Sequence, residues 1–428
     1  MNRGKGCFCI FIAFKNLIME DLVFVVIVII VVVDFLIERI VDYLNTTKWS
    51  NRLPEILKGK YNETDYRKSQ LYRKANYRFE IISSSFSFII IIFMLIFSGF
   101  SVIDSWSATI SSNYILMALS FFAIIGLAQE LLMTPFSIYD TFVIEERFGF
   151  NKTTVKTYIS DKIKGLLLAA ILGGVILTVI MVIWSKTGNF FWLLAWAVVT
   201  LLSIFMSMFY SILIVPLFNK QTPLEEGELK NKIEEFAKKA GFRLKNIFVI
   251  DGSKRSTKAN AYFTGFGPKK RIVLYDTLIN DLTTEEIVAV LAHEIGHYKK
   301  RHMLSGLATG IAESGIMFYV FSLLVNSPAL SNALGVDEPK FHIGLVAFGI
   351  LYTPISFFIN IITNYISRKH EYQADHFAAQ FDLGKPLVSA LIKLSEKNLS
   401  NLTPHPLYVF FHYSHPTLLQ RLNKLENQ

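Results

Sequence analysis

The stretch TTEEIVAVLAHEIGHYKKRH, residues 283–302, places two histidines four positions apart, with a glutamate directly after the first. It opens on Thr-Thr-Glu-Glu, which is typical of a helix N-terminus, and its apolar residues then follow at helical spacing. On a helix, His293 and His297 project from the same face, so that their imidazoles can bind one Zn²⁺ ion. Glu294 lies beside them and can act as a base on water without binding the metal itself. The stretch therefore indicates a metal site with hydrolytic chemistry, and the alternative is a helix surface with solvated histidines.

A catalytic zinc ion usually has three protein ligands and one open position, so a third ligand is needed. The segment SRKHEYQADHFAAQ, residues 367–380, is predicted to be helical and places Glu371 and Asp375 on one face. We expect Glu371 to be the third ligand. Asp375 is expected to accept a hydrogen bond from the outer N–H of a zinc-bound histidine, as carboxylates near metal sites do. His370 and His376 on the same segment are competing ligands.

Composition indicates that much of the chain lies in lipid. Of the 428 residues, 52% are hydrophobic and only 18% are charged, and the mean hydropathy is +0.41. Soluble domains carry about 25% charged residues. The net charge of +9 is explained by basic loops that face the cytoplasm, since the sequence contains no nucleic-acid-binding pattern. Cys7 and Cys9 are too close in the chain to stabilise a fold by a disulfide.

Seven segments are long and apolar enough to be transmembrane helices, each of which needs about 20 residues. They are residues 22–43, 81–103, 114–136, 165–185, 190–217, 304–325 and 342–366. Loops rich in Lys and Arg alternate with loops that contain almost none. The positive-inside rule then predicts an N-terminus outside and a C-terminus in the cytoplasm, which agrees with an odd number of spans. The predicted fold class is an α-helical integral membrane protein with a cytoplasmic α+β region.

The spans divide the chain into five parts. Residues 1–20 are a short extension, and residues 21–217 hold the first five spans with their loops. Residues 218–303 form a cytoplasmic insert that ends with the histidine helix, residues 304–366 hold the last two spans, and residues 367–428 form a cytoplasmic C-terminal region. Before the histidine helix, the insert contains one predicted helix and two predicted strands: PLEEGELKNKIEEFAKKAG (223–241), NIFVIDG (246–252) and RIVLYDT (271–277).

The segment NAYFTG, residues 260–265, lies between the two predicted strands and precedes the histidine helix. An edge strand at this point could bind a peptide by β-addition. Asn260, Ala261 and Tyr262 are the candidate substrate-binding residues, and the alternative is an ordinary strand and turn.

Six motifs together resemble one family. They are PFSIYDTFVIEERFGFNKTT (135–154), DGSKRSTKANAYFTGFG (251–267), RIVLYDT (271–277), HEIGH (293–297), EYQAD (371–375) and YSHPTLLQRL (413–422). The chain is similar to the type I CAAX prenyl endopeptidases, which are integral-membrane zinc metalloproteases of the gluzincin type with an HExxH…ExxxD pattern. The resemblance runs over nearly the whole chain beyond residue 20.

The resemblance implies seven helices around a large water-filled chamber, with one Zn²⁺ ion per chain facing inward at the cytoplasmic side. It places His293, His297 and Glu371 at the ligands and Glu294 at the catalytic carboxylate. It also places Asn260 and Ala261 in the substrate strand. The implied partners are a peptide or protein substrate, with or without a prenyl group, and the lipid bilayer.

The C-terminal motif adds two candidate residues. Pro416 is expected to start a helix at its first turn, which places His415 at the helix entrance and Arg421 in the early turns. If the tail folds back to the zinc ion, His415 donates a hydrogen bond to the oxyanion of the reaction. Arg421 then orders the site by pairing with a carboxylate such as Asp375. The alternative is a capping histidine and a surface arginine.

The expected function is zinc-dependent cleavage of peptide bonds in the membrane, of the CAAX type. A quality-control protease without CAAX specificity is the first alternative. A transporter or channel is the second, although no broken helices recur in matching halves of the chain. Four polar residues lie in or near the predicted spans: Asp34, Glu38, Gln129 and Glu130. They are expected to face a water-filled chamber, and the alternative for Asp34 and Glu38 is a position at a helix end.

The chain is shorter than eukaryotic members of the family, and its end, LNKLENQ, contains no endoplasmic reticulum retrieval signal. Both features favour the inner membrane of a bacterial cell. The endoplasmic reticulum membrane is the alternative.

Overall fold

The structure is a computed structural model that describes residues 4–242, 244, 247–264 and 271–426, with backbone only at 4–21, 189 and 264. The first helix, α1 (Gly4–Thr46), is continuous through the predicted extension and the first predicted span. Residues 1–3 of that extension lie outside the described residues.

The first half of the chain forms helices that pack side by side. After α1 these are α2 (Glu63–Ile96), α3 (Gly99–Ile110), α4 (Tyr114–Tyr139), α5 (Val155–Thr187), α6 (Phe191–Leu213) and α7 (Val215–Phe218). A π-helical segment, Asp140–Glu145, extends α4. The bounds predicted for the second span, 81–103, are wrong. Helix α2 ends at Ile96, and Ser98, with a left-handed φ of 51°, turns the chain into α3.

Six of the described helices are long and apolar enough to cross a membrane: Glu63–Ile96, Tyr114–Glu145, Val155–Thr187, Phe191–Phe218, His302–Leu324 and Phe341–Ala379. They correspond to the six predicted spans from 81–103 onward. The first predicted span lies in α1, where Asp34, Glu38 and Arg39 interrupt the apolar run. The helical membrane architecture is therefore confirmed, and the number of seven spans stays a prediction.

The insert forms a small sheet with helices on it. Its elements are β1 (Gln221–Pro223), α8 (Glu228–Lys239), β2 (Ile247–Ile250), β3 (Ala261–Thr264), β4 (Arg271–Tyr275), α9 (Asp276–Asp281) and α10 (Thr284–Lys299). The strand order is β1-β2-β4-β3, with β2 and β4 parallel and the outer pairs antiparallel. Both predicted strands are present. The predicted helix at 223–241 starts later than expected, because Gln221–Pro223 pairs with β2 as a strand.

The remaining chain forms two long helices and several short ones: α11 (His302–Leu324), α12 (Pro328–Asn332), α13 (Phe341–Ala379), α14 (Gly384–Lys397), α15 (Pro406–His412) and α16 (Leu418–Glu426). The last predicted span and the predicted helix at 367–380 form one continuous element, α13. Its 39 residues extend over about 58 Å, whereas the hydrocarbon core of a bilayer is about 30 Å thick. Its C-terminal turns therefore reach beyond the lipid.

Helix α10 lies in the core formed by the small sheet and the helices packed on it. Thr283 caps it by accepting a hydrogen bond from Glu286 N, and Glu286 in turn accepts from Thr283 N, which confirms the predicted start of the helix. Helix α10 approaches α13 closely at Gly296, where a Cβ atom would lie 3.1 Å from the Cα of Ala374. Since α10 carries the two histidines and α13 carries Glu371, this approach sets the distance between the candidate ligands.

Candidate metal centre

The three predicted ligands meet between α10 and α13. His293 Nε2 and His297 Nε2 lie 3.1 Å apart, and Glu371 Oε1 lies 3.3 Å from His297 Nε2. One nitrogen or oxygen of each residue lies within 4.8 Å of those of the other two. Two imidazoles and a carboxylate are a common donor set for a catalytic metal. The competing residues, His370 and His376, are not part of this group.

The burial and charge of these residues fit a metal ion. Glu371 Oε2 is buried, and Arg421 Nη1 and His293 Nε2 both lie 3.5 Å from it. The guanidinium therefore balances part of the carboxylate charge at a distance, and a metal ion would give this buried oxygen a direct partner. Burial lowers the pKa of His293, but hydrogen bonds with Asp375 and Glu371 outweigh the burial and raise that pKa to about 9. The two carboxylates therefore favour a positive charge at this point, and a cation bound by the imidazole lone pairs supplies it.

His293 is held from behind by Asp375 and Arg421. His293 Nδ1 lies 2.8 Å from Asp375 Oδ1. Arg421 Nη2 donates to the same oxygen at 2.6 Å, and Arg421 Nε donates to Oδ2 at 2.9 Å. Burial lowers the pKa of Arg421, but the neighbouring Asp375 and Glu371 raise it above its ordinary value. The guanidinium therefore remains charged and fixes the orientation of Asp375.

Glu294 lies half-buried beside the histidines and lines a cavity of about 1040 Å³. This volume is at the upper end of the range for small-molecule sites, about 300–1,000 Å³. One wall of the cavity comes from the candidate span α11 and includes Ser305, Gly306, Thr309, Gly310 and Glu313. A second, apolar wall comes from α14 and includes Leu387, Leu391 and Leu394. The metal centre thus opens into a space that combines polar and apolar surfaces.

The C-terminal tail folds back onto this cavity, and both His415 and Arg421 line it. His415 Nε2 lies 3.3 Å from Glu371 Oε1, and the His415 side chain is 64% exposed. Arg421 is only 11% exposed, so the alternative of a surface arginine is wrong. The expectation that Pro416 starts the helix is also wrong, because α16 begins at Leu418 and Thr417 caps it by accepting from Gln420 N.

Strand β3 lies at the edge of the sheet formed by the described strands. Tyr275 N donates to Asn260 O at 3.1 Å. Because paired and unpaired backbone groups alternate along an antiparallel ladder, the backbone of Ala261 faces away from β4. Asn260 and Ala261 line the cavity, whereas the Tyr262 ring lies against Tyr275 and is not part of the cavity wall. By the same alternation the N–H and C=O of Tyr262 face Val273 of β4, so that Tyr262 offers neither its ring nor its backbone to the cavity.

The polar residues of the spans do not line the cavity at the metal centre; these are Asp34, Glu38, Gln129 and Glu130. Glu130 Oε1 accepts a hydrogen bond from Lys162 Nζ at 2.6 Å, and Glu38 lies 3.5 Å from His412 Nε2. Glu130 and Glu38 instead line two smaller cavities, and each pairs with a residue of a neighbouring helix. The expectation that the four residues face a chamber stays a prediction.

Two residues behind His297 are absent from the sequence-based prediction. His302 Nδ1 lies 3.0 Å from His297 Nδ1, and His302 Nε2 lies 2.8 Å from Gln373 Oε1. On a continuous helix, a residue five positions after His297 would face another direction. Arg301, with a left-handed φ of 62°, breaks the helix and turns His302 back toward His297. The only signal in the sequence is a third histidine at the end of the stretch.

Known proteins share both halves of this architecture. Residues 42–220 match the family model described as CAAX prenyl protease N-terminal, five membrane helices, and residues 223–428 match that of peptidase family M48. A CAAX prenyl protease 1 homolog of Arabidopsis thaliana is 44% identical over 74% of this chain and 75% of its own length. CAAX prenyl protease 1 of Saccharomyces cerevisiae is 36% identical over 92% of this chain and 93% of its own length. The crystal structure of S. mikatae Ste24p matches with a TM-score of 0.88 at 36% identity, over 94% of this chain and 99% of that one.

Long apolar helices that carry a His-His-Glu centre at their edge define an integral-membrane metalloendopeptidase. The chain belongs to the CAAX prenyl protease family within peptidase family M48. This confirms the resemblance drawn from the motifs. The chain is therefore an enzyme, and a non-enzymatic transporter or channel is the wrong reading.

Proposed function

We propose that the chain is a zinc-dependent endopeptidase that processes the C-termini of prenylated CAAX proteins or peptides. The observation that carries the proposal is the opening of the His293, His297 and Glu371 group into a cavity of about 1040 Å³. An edge strand for the peptide backbone borders this cavity, and an apolar wall from α14 offers a surface for a hydrophobic group. The names of the relatives support the substrate class.

Zinc suits the donor set, since two imidazoles and one carboxylate leave a fourth position open in a tetrahedral site. One ion per chain, when bound by His293, His297 and Glu371, supplies Lewis acidity for a peptide carbonyl and lowers the pKa of water. Asp375 orients His293 by accepting its Nδ1–H, and Arg421 holds both oxygens of Asp375 in place.

Three further groups act on the substrate. Glu294 takes a proton from the attacking water and delivers it to the leaving amine. His415 is exposed to the cavity and donates a hydrogen bond to the carbonyl oxygen as this oxygen gains negative charge. Asn260 and Ala261, which line the cavity, bind the peptide as an added strand through the outward-facing backbone of Ala261.

Two synthetic peptides with the same CAAX end, one farnesylated and one not, test the proposal. Purified protein in nanodiscs is incubated with each peptide, and the products are identified by mass spectrometry. We expect the farnesylated peptide to be cleaved faster, and Glu294→Gln to reduce cleavage by about 10²–10⁴-fold while retaining zinc. Glu285→Gln, an exposed position on the same helix, is the matched control.

Equal cleavage of both peptides would favour the alternative of a quality-control protease that does not recognise CAAX ends. Zinc-loaded protein that cleaves neither peptide would contradict the proposal.

For the orientation, we infer an N-terminus outside and a C-terminus in the cytoplasm, as the basic loops predict. Two membranes remain as alternatives. The length of the chain does not favour a bacterial inner membrane, because the alignment with the yeast relative covers 92% of this chain and 93% of that protein. The eukaryotic origin of the named relatives favours the endoplasmic reticulum membrane. A C-terminal epitope tag, detected after permeabilising only the plasma membrane, tests orientation and compartment together.

A further inference from the structure

His297 has a partner behind it that differs in kind from the partner of His293. The Nδ1 atoms of His297 and His302 lie 3.0 Å apart, and the Nε2 atom of His302 lies 2.8 Å from Gln373 Oε1. We propose that His302 and Gln373 form a hydrogen-bond relay that keeps His297 protonated on Nδ1 and leaves its Nε2 lone pair free for the metal. The inference rests on the zinc site of the proposed function and assigns two positioning residues to it.

The fold holds His302 firmly in this place. The residue is 7% exposed, and its ring stacks on that of His370 with centroids 4.0 Å apart and planes 9° apart. His302 is the first residue of α11, directly after the left-handed turn at Arg301. Gln373 lies on α13, two positions after Glu371. The relay therefore joins the helix after one ligand to the helix that carries another.

Hydrogen bonds can be donated along His297, His302 and Gln373 in either of two directions. In the first, Gln373 Oε1 accepts a hydrogen bond from the Nε2–H of His302. His302 Nδ1 then has a free lone pair and accepts a hydrogen bond from the Nδ1–H of His297. In the second, the amide N–H₂ of Gln373 points inward, His302 carries its proton on Nδ1, and His297 must carry its proton on Nε2. Only the first direction leaves His297 Nε2 able to bind a metal ion, because each neutral imidazole has one N–H and one lone pair.

The two histidine ligands are thus supported unequally. His293 faces the carboxylate of Asp375, which can only accept and which Arg421 holds in place. His297 faces the neutral imidazole of His302. Which nitrogen of His302 carries the proton depends on the exposed amide of Gln373. Hydrogen bonds to charged groups are about twice as strong as neutral ones. Groups that hydrogen-bond to a metal ligand typically change metal affinity by about 10–100-fold. We expect the relay to change zinc affinity by the lower end of this range.

Four variants separate the relay from simple packing. His302→Leu removes it, and His302→Asn restores an acceptor oxygen near the former Nδ1 position. Gln373→Glu introduces a carboxylate that can only accept hydrogen bonds, and so it enforces the direction that leaves His297 Nε2 free for the metal. The position is exposed, so the charge costs little desolvation. Gln373→Met has neither oxygen nor N–H. His376→Leu, on the same helix but outside the ligand group, is the matched control.

Zinc affinity is measured by chelator competition in nanodiscs, and the visible spectrum of the Co²⁺-substituted protein reports the ligand geometry. We expect His302→Leu to weaken zinc binding about tenfold and to alter the Co²⁺ spectrum. Gln373→Met should weaken binding less. His302→Asn, Gln373→Glu and the control should remain near the parental affinity and spectrum. The melting temperature of the metal-free protein shows that each variant is folded.

Parental zinc affinity in folded His302→Leu would overturn the inference. So would an equal loss in His302→Leu and His302→Asn, since packing rather than hydrogen bonding would then explain it. Failure of the parental protein to bind zinc would overturn the proposed function instead, so that the two failures are distinguishable.

Discussion

Replacing Asp375 with asparagine keeps the size of the side chain but changes one carboxylate oxygen into an N–H₂ group. In the parental protein, His293 Nδ1 and Arg421 Nη2 both contact Oδ1, and Arg421 Nε donates to Oδ2. An amide has only one acceptor oxygen. In either orientation of the amide, at least one of these buried N–H groups therefore faces another donor.

The size of the effect follows from this mismatch. A buried donor without an acceptor costs about 1–3 kcal/mol, which is roughly 5–150-fold in a binding constant when the cost is felt in the metal-bound state. Loss of the outer partner of a metal-binding histidine weakens metal binding by about 10–100-fold. The two ranges overlap, and we expect Asp375→Asn to weaken zinc binding by about 10–100-fold.

Chelator competition on folded protein measures this change. Asp382→Asn is the matched control, because Asp382 is exposed and has a left-handed φ of 64°, a conformation that asparagine adopts readily. Parental zinc affinity in Asp375→Asn would refute the reasoning. An equal loss in both variants would also refute it, since the effect would then not come from the hydrogen bonds of the site.

Further substitutions test the third ligand, the C-terminal tail and the N-terminus of α10. Glu371→Ala should lower zinc content and activity together, and full zinc occupancy in this variant would show that the third ligand is wrong. His415→Ala should lower kcat/KM by about 10²–10³-fold with zinc content unchanged. If both His415→Ala and Arg421→Ala cleave the peptide at the parental rate, the C-terminal tail has only a structural role. Burial raises the pKa of Glu286, but hydrogen bonds from Lys393, Ser389 and the Thr283 backbone lower it below its ordinary value of 4.5. A lowered pKa means that the stabilisation is present above pH 4.5 and is lost as the pH falls through the folded-state pKa. Glu286→Gln should therefore melt below the parental protein at neutral pH, and the difference between the two melting temperatures should shrink in acid.

Local spacing in the chain accounts for the features that the sequence predicted well. The separation of four residues between His293 and His297 places both side chains on one face of any helix, whatever surrounds it. The long apolar runs predict membrane helices for the same reason, because a bilayer requires a helix of about 20 apolar residues wherever that helix packs. Residue type and short-range periodicity were sufficient for the membrane class and for the metal-binding pattern.

Contacts between distant segments decided the rest. The pairing of Arg421 with Asp375 depends on the tail folding back over 46 residues. Glu38 and Glu130 pair with residues of neighbouring helices and do not line the cavity at the metal centre. Which side chains of the edge strand face the cavity depends on the register of β3 with β4.

The close approach of α10 and α13 at Gly296 and the left-handed turn at Arg301 likewise arise only in the folded molecule. The sequence by itself determined the membrane class and the pattern of metal ligands, since helix periodicity and hydrophobicity act over a few residues. The tertiary structure alone decided which atoms stand behind each ligand, because burial, backbone direction and helix packing bring together His302 and Gln373 from positions 71 residues apart.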